Sequence, residues 1–199
     1  FSRGAFDITI GSVSSLWDFK EAKVVPSSDA IQEALTHVNY KNIYIQNNTV
    51  QLTDPYTQID LGAIAKGYIA DRVRDELRRM GVEHALINLG GNVLAIGAPL
   101  YGGNRWAIGL KKPFGSADAS IGIIEVVGES VVTSGIYERY FEVDGKIYHH
   151  ILDPKTGYPL DNEILSVTVI SDNSIDGDIY TTLLYGMGVK KALSYLTTI

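Results

Sequence analysis

The sequence predicts an α+β fold, with mixed or antiparallel sheets and a few packed helices. Three observations carry this. Strand-like runs recur through most of the chain, the helical stretches interrupt them without strict βαβ alternation, and hydrophobic residues make up 45% of 199 positions. That length and composition support a real core, in one substantial domain or two small ones. No internal repeat, low-complexity tract or long linker divides the chain, so residues 1–199 read as one region.

Taken in order, residues 6–19 are apolar, punctuated by Ser and Gly, and end in Leu16-Trp17-Asp18-Phe19. Pro26-Ser27-Ser28-Asp29 reads as a helix start, with Ala30, Ile31, Ala34 and Leu35 on one face. Residues 40–52 alternate like a strand pair broken at Gln46-Asn47-Asn48. A strand-like segment at 57–61 then meets the clearest helix, 62–80. Its apolar stripe is Ile64, Ala65, Tyr68, Ile69, Val73, Leu77 and Met80, its polar face carries Arg72, Arg74, Asp75, Glu76 and Arg79, and Gly81 ends it. Strands are expected at 85–89, 93–98, 105–110, 121–127, 130–133, 137–143 and 165–170, with Asp144-Gly145 as a hairpin turn. Two short helices, 178–185 and 189–197, are separated at Gly186-Met187-Gly188.

Composition excludes several chemistries. With no Cys, disulfides, thiolate nucleophiles and Cys-ligated zinc are ruled out. A net charge of −6 without a basic face argues against a nucleic-acid partner, although a nucleotide needs only a local pocket of N–H groups and a metal. No apolar run is long enough for a membrane-spanning helix. The opening residues, without an initiator Met, read as the continuation of a longer or processed chain.

Five segments carry candidate chemistry. Tyr148-His149-His150-Ile151-Leu152-Asp153-Pro154-Lys155-Thr156-Gly157-Tyr158-Pro159 joins two histidines, able to move a proton near neutral pH, to a turn whose Pro and Gly fix its geometry. The bland alternative is a polar β-turn with incidental histidines. Asp60-Leu61-Gly62-Ala63-Ile64-Ala65-Lys66-Gly67 opens the long helix, where free N–H groups and small residues suit a close ligand. Lys66 can reach phosphate or pair with Asp60; otherwise Asp60 is an N-cap and the small residues pack on a sheet. Asn88-Leu89-Gly90-Gly91-Asn92 is either a backbone cradle or a turn, and Thr133-Ser134-Gly135 a hydroxyl-rich loop or an ordinary corner. Asp178 and Thr182 lie four apart on one helical face and offer oxygen to a hard cation such as Mg²⁺; the alternative is an Asp178 N-cap with Thr182 packed inward.

In this order the segments resemble the ApbE-like FAD:protein FMN transferases. Gly4-Ala5-Phe6-Asp7-Ile8-Thr9-Ile10-Gly11 with Leu16-Trp17 is similar to the family's opening motif. DLGAIAKGYIAD (60–71) resembles its DLGGIAKGYAxD signature, and INLGGNVLAIG (87–97) its NLGGD-type loop. TSGIYERYF (133–141), HHILDPKTGYP (149–159) and the D-x-x-x-T block at 178–182 complete the match. The resemblance implies an ApbE-like (T-fold-like) architecture. It also implies binding of FAD and Mg²⁺, and transfer of FMN to a Thr or Ser hydroxyl of an acceptor redox protein, with AMP released. It places the work outside the cytoplasm.

Residue by residue, the resemblance implies that Asp178, Thr182 and the carbonyl of Ala63 hold Mg²⁺. His150, a better match than His149, takes the acceptor proton, with Asp60 beside it in the catalytic set. Asp60, Lys66, His150 and Ile151 contact FAD, and Asn88, Gly90, Gly91 and Ser134 shape the flavin and phosphate cavity. Departures are Ile136 in place of a polar residue and Ala63 in place of a frequent Gly. The chain also starts at the opening motif and stops after a helix, so a preceding segment, with any lipid anchor, and a C-terminal end are expected beyond it. Two other functions fit the same residues. One is a metal-dependent FAD pyrophosphatase giving FMN and AMP. The other is a non-catalytic flavin-binding protein, which needs no base and metal ligands together.

Overall fold

The computed structural model describes residues 4–21, 23–116 and 118–198. Residues 1–3, at the start of the sequence, lie outside them. The elements in chain order begin with α1 (Gly11–Ser14), α2 (Ser28–Leu35), β1 (Ile43–Gln46), β2 (Thr49–Leu52) and α3 (Ala65–Arg79). Then come β3 (Ala85–Asn88), β4 (Asn92–Ile96), β5 (Trp106–Lys111), β6 (Ser120–Val126) and β7 (Ser130–Gly135). The chain continues through β8 (Tyr140–Val143), β9 (Lys146–His149), β10 (Ser166–Ser171) and α4 (Ser174–Leu196). The paired strands are antiparallel throughout: one four-stranded sheet in the order β10-β7-β4-β3, and the hairpins β1–β2, β5–β6 and β8–β9. This is the expected α+β class. The chain forms two compact units, residues 1–61 with 138–163, and residues 62–137 with 164–199.

In the first unit, Ser27 caps α2 by accepting from Ala30 N, and Asn47 and Asn48, both with positive φ, turn β1 into β2. The core gathers around Trp17. Rings of Phe19, Phe141, Tyr148 and Tyr158 lie 5.8, 6.3, 5.9 and 5.9 Å from it, and its Nε1 donates to Gly157 O at 3.0 Å. The Asp153–Gly157 turn is thereby tied to the core. Gly157 has φ +74°, and a Cβ there would stand 2.5 Å from Ile31 Cγ2, so both conformation and space require glycine. The strand expected at 57–61 reduces to one parallel bridge, Ile10 with Gln58.

His149 is buried in this unit. Its Nε2–H donates to Leu160 O at 2.9 Å, and its Nδ1 accepts from Ile151 N at 3.3 Å, which specifies one neutral tautomer. Burial pushes the imidazole below its ordinary value of 6.5, outweighing the Leu160 carbonyl and the Asp161 charge, which act the other way. Below 6.5 the unfolded chain therefore binds a proton that the folded one resists. The stability contribution is whole above that pH and is lost as pH falls toward the depressed folded value. We expect denaturation midpoints to fall between pH 8 and pH 5, and His149→Gln to flatten that slope; an unchanged slope would count against it.

In the second unit, β4 is buried along its whole length. Side chains alternate between faces of a strand, so Val93 and Ala95 join Ile108, Val126 and Val131 in one cluster, while Leu94 and Ile96 join Ile87 and Ala70 of α3 in another. The long helix starts three residues later than expected and presents a different face. Tyr68, Ile69, Val73 and Met80 are 55%, 49%, 38% and 68% exposed, whereas Gly67, Ala70, Asp71 and Arg74 are buried. Close packing on α4 explains the reversal: a Cβ on Gly67 would lie 2.6 Å from Ile175 Cα and run into Ser174 O. The two C-terminal helices are present within α4, broken at Gly188 (φ 70°, ψ 162°) as expected, and the first starts earlier, at Ser174. Among the described residues no helix is long and apolar enough to cross a membrane.

Candidate active site

Asp178 is 2% exposed inside α4, a full turn from its start, which excludes the N-cap reading. Its Oδ2 accepts from Gly67 N at 2.6 Å, its Oδ1 accepts from Asn92 Nδ2 at 3.1 Å, and Lys66 Nζ stands 3.9 Å from Oδ1. The carboxylate partner of Lys66 is thus Asp178 rather than Asp60. Gly67 N is one of the amides that the first turn of α3 leaves without an intrahelical acceptor, and the α3 N-cap, Ile64, makes no side-chain cap. Asp178 supplies that cap from another helix and lies at the positive end of the α3 dipole. The reverse also holds. The α4 N-cap, Asn173, makes no side-chain cap, and Asp71 of α3 accepts from Ser174 N and Ile175 N, both at 2.9 Å. Arg74 Nη1, 3.1 Å from Asp71 Oδ1, neutralises that buried carboxylate and donates to Asp172 O at 3.0 Å.

Next along α4, Thr181 is spent on the fold: its hydroxyl donates to Asp178 O at 3.0 Å and accepts from Ser134 Oγ of β7 at 2.8 Å. Thr182 is half-buried one turn beyond Asp178, and Ala63 lies in the turn entering α3. A carboxylate, a hydroxyl and a backbone carbonyl are all hard oxygens, the kind of donor that Mg²⁺ takes. Among the described residues no group of three or more His, Asp or Glu side chains is placed to hold a metal ion.

Asn88 Oδ1 accepts from Gly91 N at 3.3 Å and Leu89 N donates to Asn92 O at 2.8 Å, closing the β3–β4 hairpin. Gly90 (φ 62°) and Gly91 (φ 92°) are required by the turn itself, since a Cβ on either would meet open space.

Asp60, His150 and Ile151 belong to the first unit. Asp60 is no N-cap either. Its Oδ2 accepts from Ser14 Oγ of α1 at 2.8 Å and its N donates to Ile8 O at 2.7 Å, so the opening motif is what holds it. His150 Nδ1 is 3.1 Å from Arg139 O. A carbonyl only accepts, so Nδ1 carries the hydrogen and the neutral ring keeps its lone pair on Nε2. Ile151 is buried; its N donates to His149 Nδ1 and its O accepts from Leu160 N at 2.9 Å.

Asn92, Ser174 and Asp71 escaped the sequence reading. Asn92 carried a signal, being the polar member of the otherwise apolar strand Asn92–Ile96. Asp71 closes the 60–71 motif, but nothing local tied it to Ser174 or Ile175, its partners 103 and 104 positions away.

Fold and site together define an ApbE-type protein. The ApbE family model matches residues 1–199, and the chain belongs to that family. Among its relatives, an FAD:protein FMN transferase of Klebsiella pneumoniae is 54% identical over 96% of this chain and 60% of its own length. One of Treponema pallidum is 37% identical over 98% and 58%. Among solved structures, the ApbE protein of Thermotoga maritima superposes with a TM-score of 0.88 at 40% identity, covering 99% of this chain and 65% of that one. The Pseudomonas stutzeri flavinyl transferase ApbE, in its apo form, gives a TM-score of 0.80 at 34% identity, covering 97% and 60%. The chain therefore spans about three fifths of the length of these curated relatives.

Proposed function

We propose that this chain carries the Mg²⁺-dependent transfer of FMN from FAD to a Thr or Ser hydroxyl of an acceptor redox protein. The supporting observation is the buried Asp178, held by Gly67 N and Asn92 Nδ2 with Thr182 one turn on. Family membership and the transferase names of the relatives agree with it. Asp178, Thr182 and the Ala63 carbonyl would hold Mg²⁺, whose chemistry is to offset negative charge at the pyrophosphate. Lys66 adds a cationic group beside Asp178. Nε2 of His150 takes the proton of the acceptor hydroxyl as its oxygen bonds to the FMN phosphorus, and the bond from that phosphorus to the AMP oxygen breaks. Asp60, Lys66, Ile151, Asn88, Gly90, Gly91 and Ser134 are the proposed FAD contacts, the glycines through backbone groups. The proposed setting is extracytoplasmic, which cell fractionation tests.

Intact-mass spectrometry after incubation with FAD, Mg²⁺ and a Thr-containing acceptor peptide is the direct experiment. A peptide heavier by FMN less water, only with metal, supports transfer. Free FMN and AMP without adduct would convert the reading to a pyrophosphatase, in which the same base serves water. His150→Ala should keep FAD bound and lower transfer by about 10²-fold or more. Loss of FAD binding alone would make His150 a binding residue.

A further inference from the structure

We infer that Asn92 is a positioning residue for the Asp178 carboxylate, with Ser174 and Ser130 fixing the direction of its amide. The inference rests on the reading of Asp178 as a metal ligand. Ser130, Ser174 and Asn92 are each 0% exposed, and they come from β7, α4 and β4. The polarity of the chain they form follows from chemistry. A carboxylate only accepts, so Asn92 must turn Nδ2 toward Asp178 Oδ1, 3.1 Å away. Asn92 Oδ1 then faces Ser174 Oγ at 2.6 Å, and that hydroxyl must donate to it. Ser174 Oγ is left to accept from Ser130 Oγ at 2.9 Å. The single Ser130 proton is shared between Ser174 Oγ and Val93 O, the latter at 3.1 Å. The Ser174 and Asn92 protons both point toward Asp178.

With Gly67 N on Oδ2 and Asn92 on Oδ1, the carboxylate is held at both oxygens, and each keeps lone-pair capacity for a cation. A ligand group fixed beforehand loses little freedom when the ion arrives.

The test uses Mn²⁺ as the probe, its free form counted by electron paramagnetic resonance, with a thermal melt of each metal-free protein. Asn92→Leu keeps side-chain volume and removes the donor. Affinity for Mn²⁺ should fall by about tenfold or more. A variant that melts lower yet binds Mn²⁺ like the parent would show Asn92 to be merely structural and overturn the inference. If Asn92→Leu does not fold, Ser174→Ala decides. It removes the hydroxyl that orients the amide and should weaken Mn²⁺ binding in the same direction; unchanged affinity overturns the inference. A parent chain that binds no Mn²⁺ would remove the metal reading of Asp178, and the inference with it.

Discussion

Asp178→Asn will cut metal-dependent FMN transfer by roughly a thousandfold, about 4 kcal/mol of barrier. The substitution keeps the shape of the side chain, so its oxygen can still accept from Gly67 N and cap α3. What it removes is the negative charge, which neither Thr182 nor a carbonyl can replace, together with the acceptor that faces Asn92 Nδ2. The measurement is peptide flavinylation rate against Mg²⁺ concentration, with circular dichroism to confirm that the helices persist. Asp178→Ala serves as the harsher companion, since it also uncaps α3. A variant turning over within tenfold of the parent at saturating Mg²⁺ would take Asp178 out of the metal set.

Gly67→Ala will destabilise the second unit by about 3 kcal/mol, the upper end of the usual cost of overpacking. Ordinarily a helix gains from this change. Here the added methyl would stand 2.6 Å from Ile175 Cα and collide with the Ser174 carbonyl. Those obstacles are main chain in α4, which cannot rotate away as a side chain would. The helices must separate, and the Gly67 N to Asp178 bond must lengthen with them. Urea denaturation of the two proteins measures the effect. A variant as stable as the parent would mean that the helices reseat freely. Its sequence suggests room for a ligand to approach the backbone; its crowded surroundings show that Gly67 makes room for another helix.

Much of the architecture was legible because its signals are local. Ser27 announces α2, Asn47-Asn48 and Asp144-Gly145 announce hairpins, and Gly188 marks the bend in α4. The buried face of α3 was not legible. Hydropathy ranks Ile69 and Val73 above Gly67, Ala70, Asp71 and Arg74, yet close approach needs small residues, and the buried Asp71 is satisfied by Arg74 and two α4 amides. The site divides the same way. Asp178 and Thr182 stood out through their helical spacing, but the partners that fix Asp178 lie 111 and 86 positions away, beyond any periodicity argument.

Because α3 and α4 each borrow the other's carboxylate to begin, neither is a portable part. A peptide of Ala65–Arg79 excised alone, or grafted into a foreign scaffold, would leave its starting amides bare and its buried Asp71 and Arg74 facing water. Anyone recombining this chain with a relative must exchange the two helices together. A crossover placed between them has to preserve Asp71 on one side and Asp178 on the other, or both helices lose their first turn.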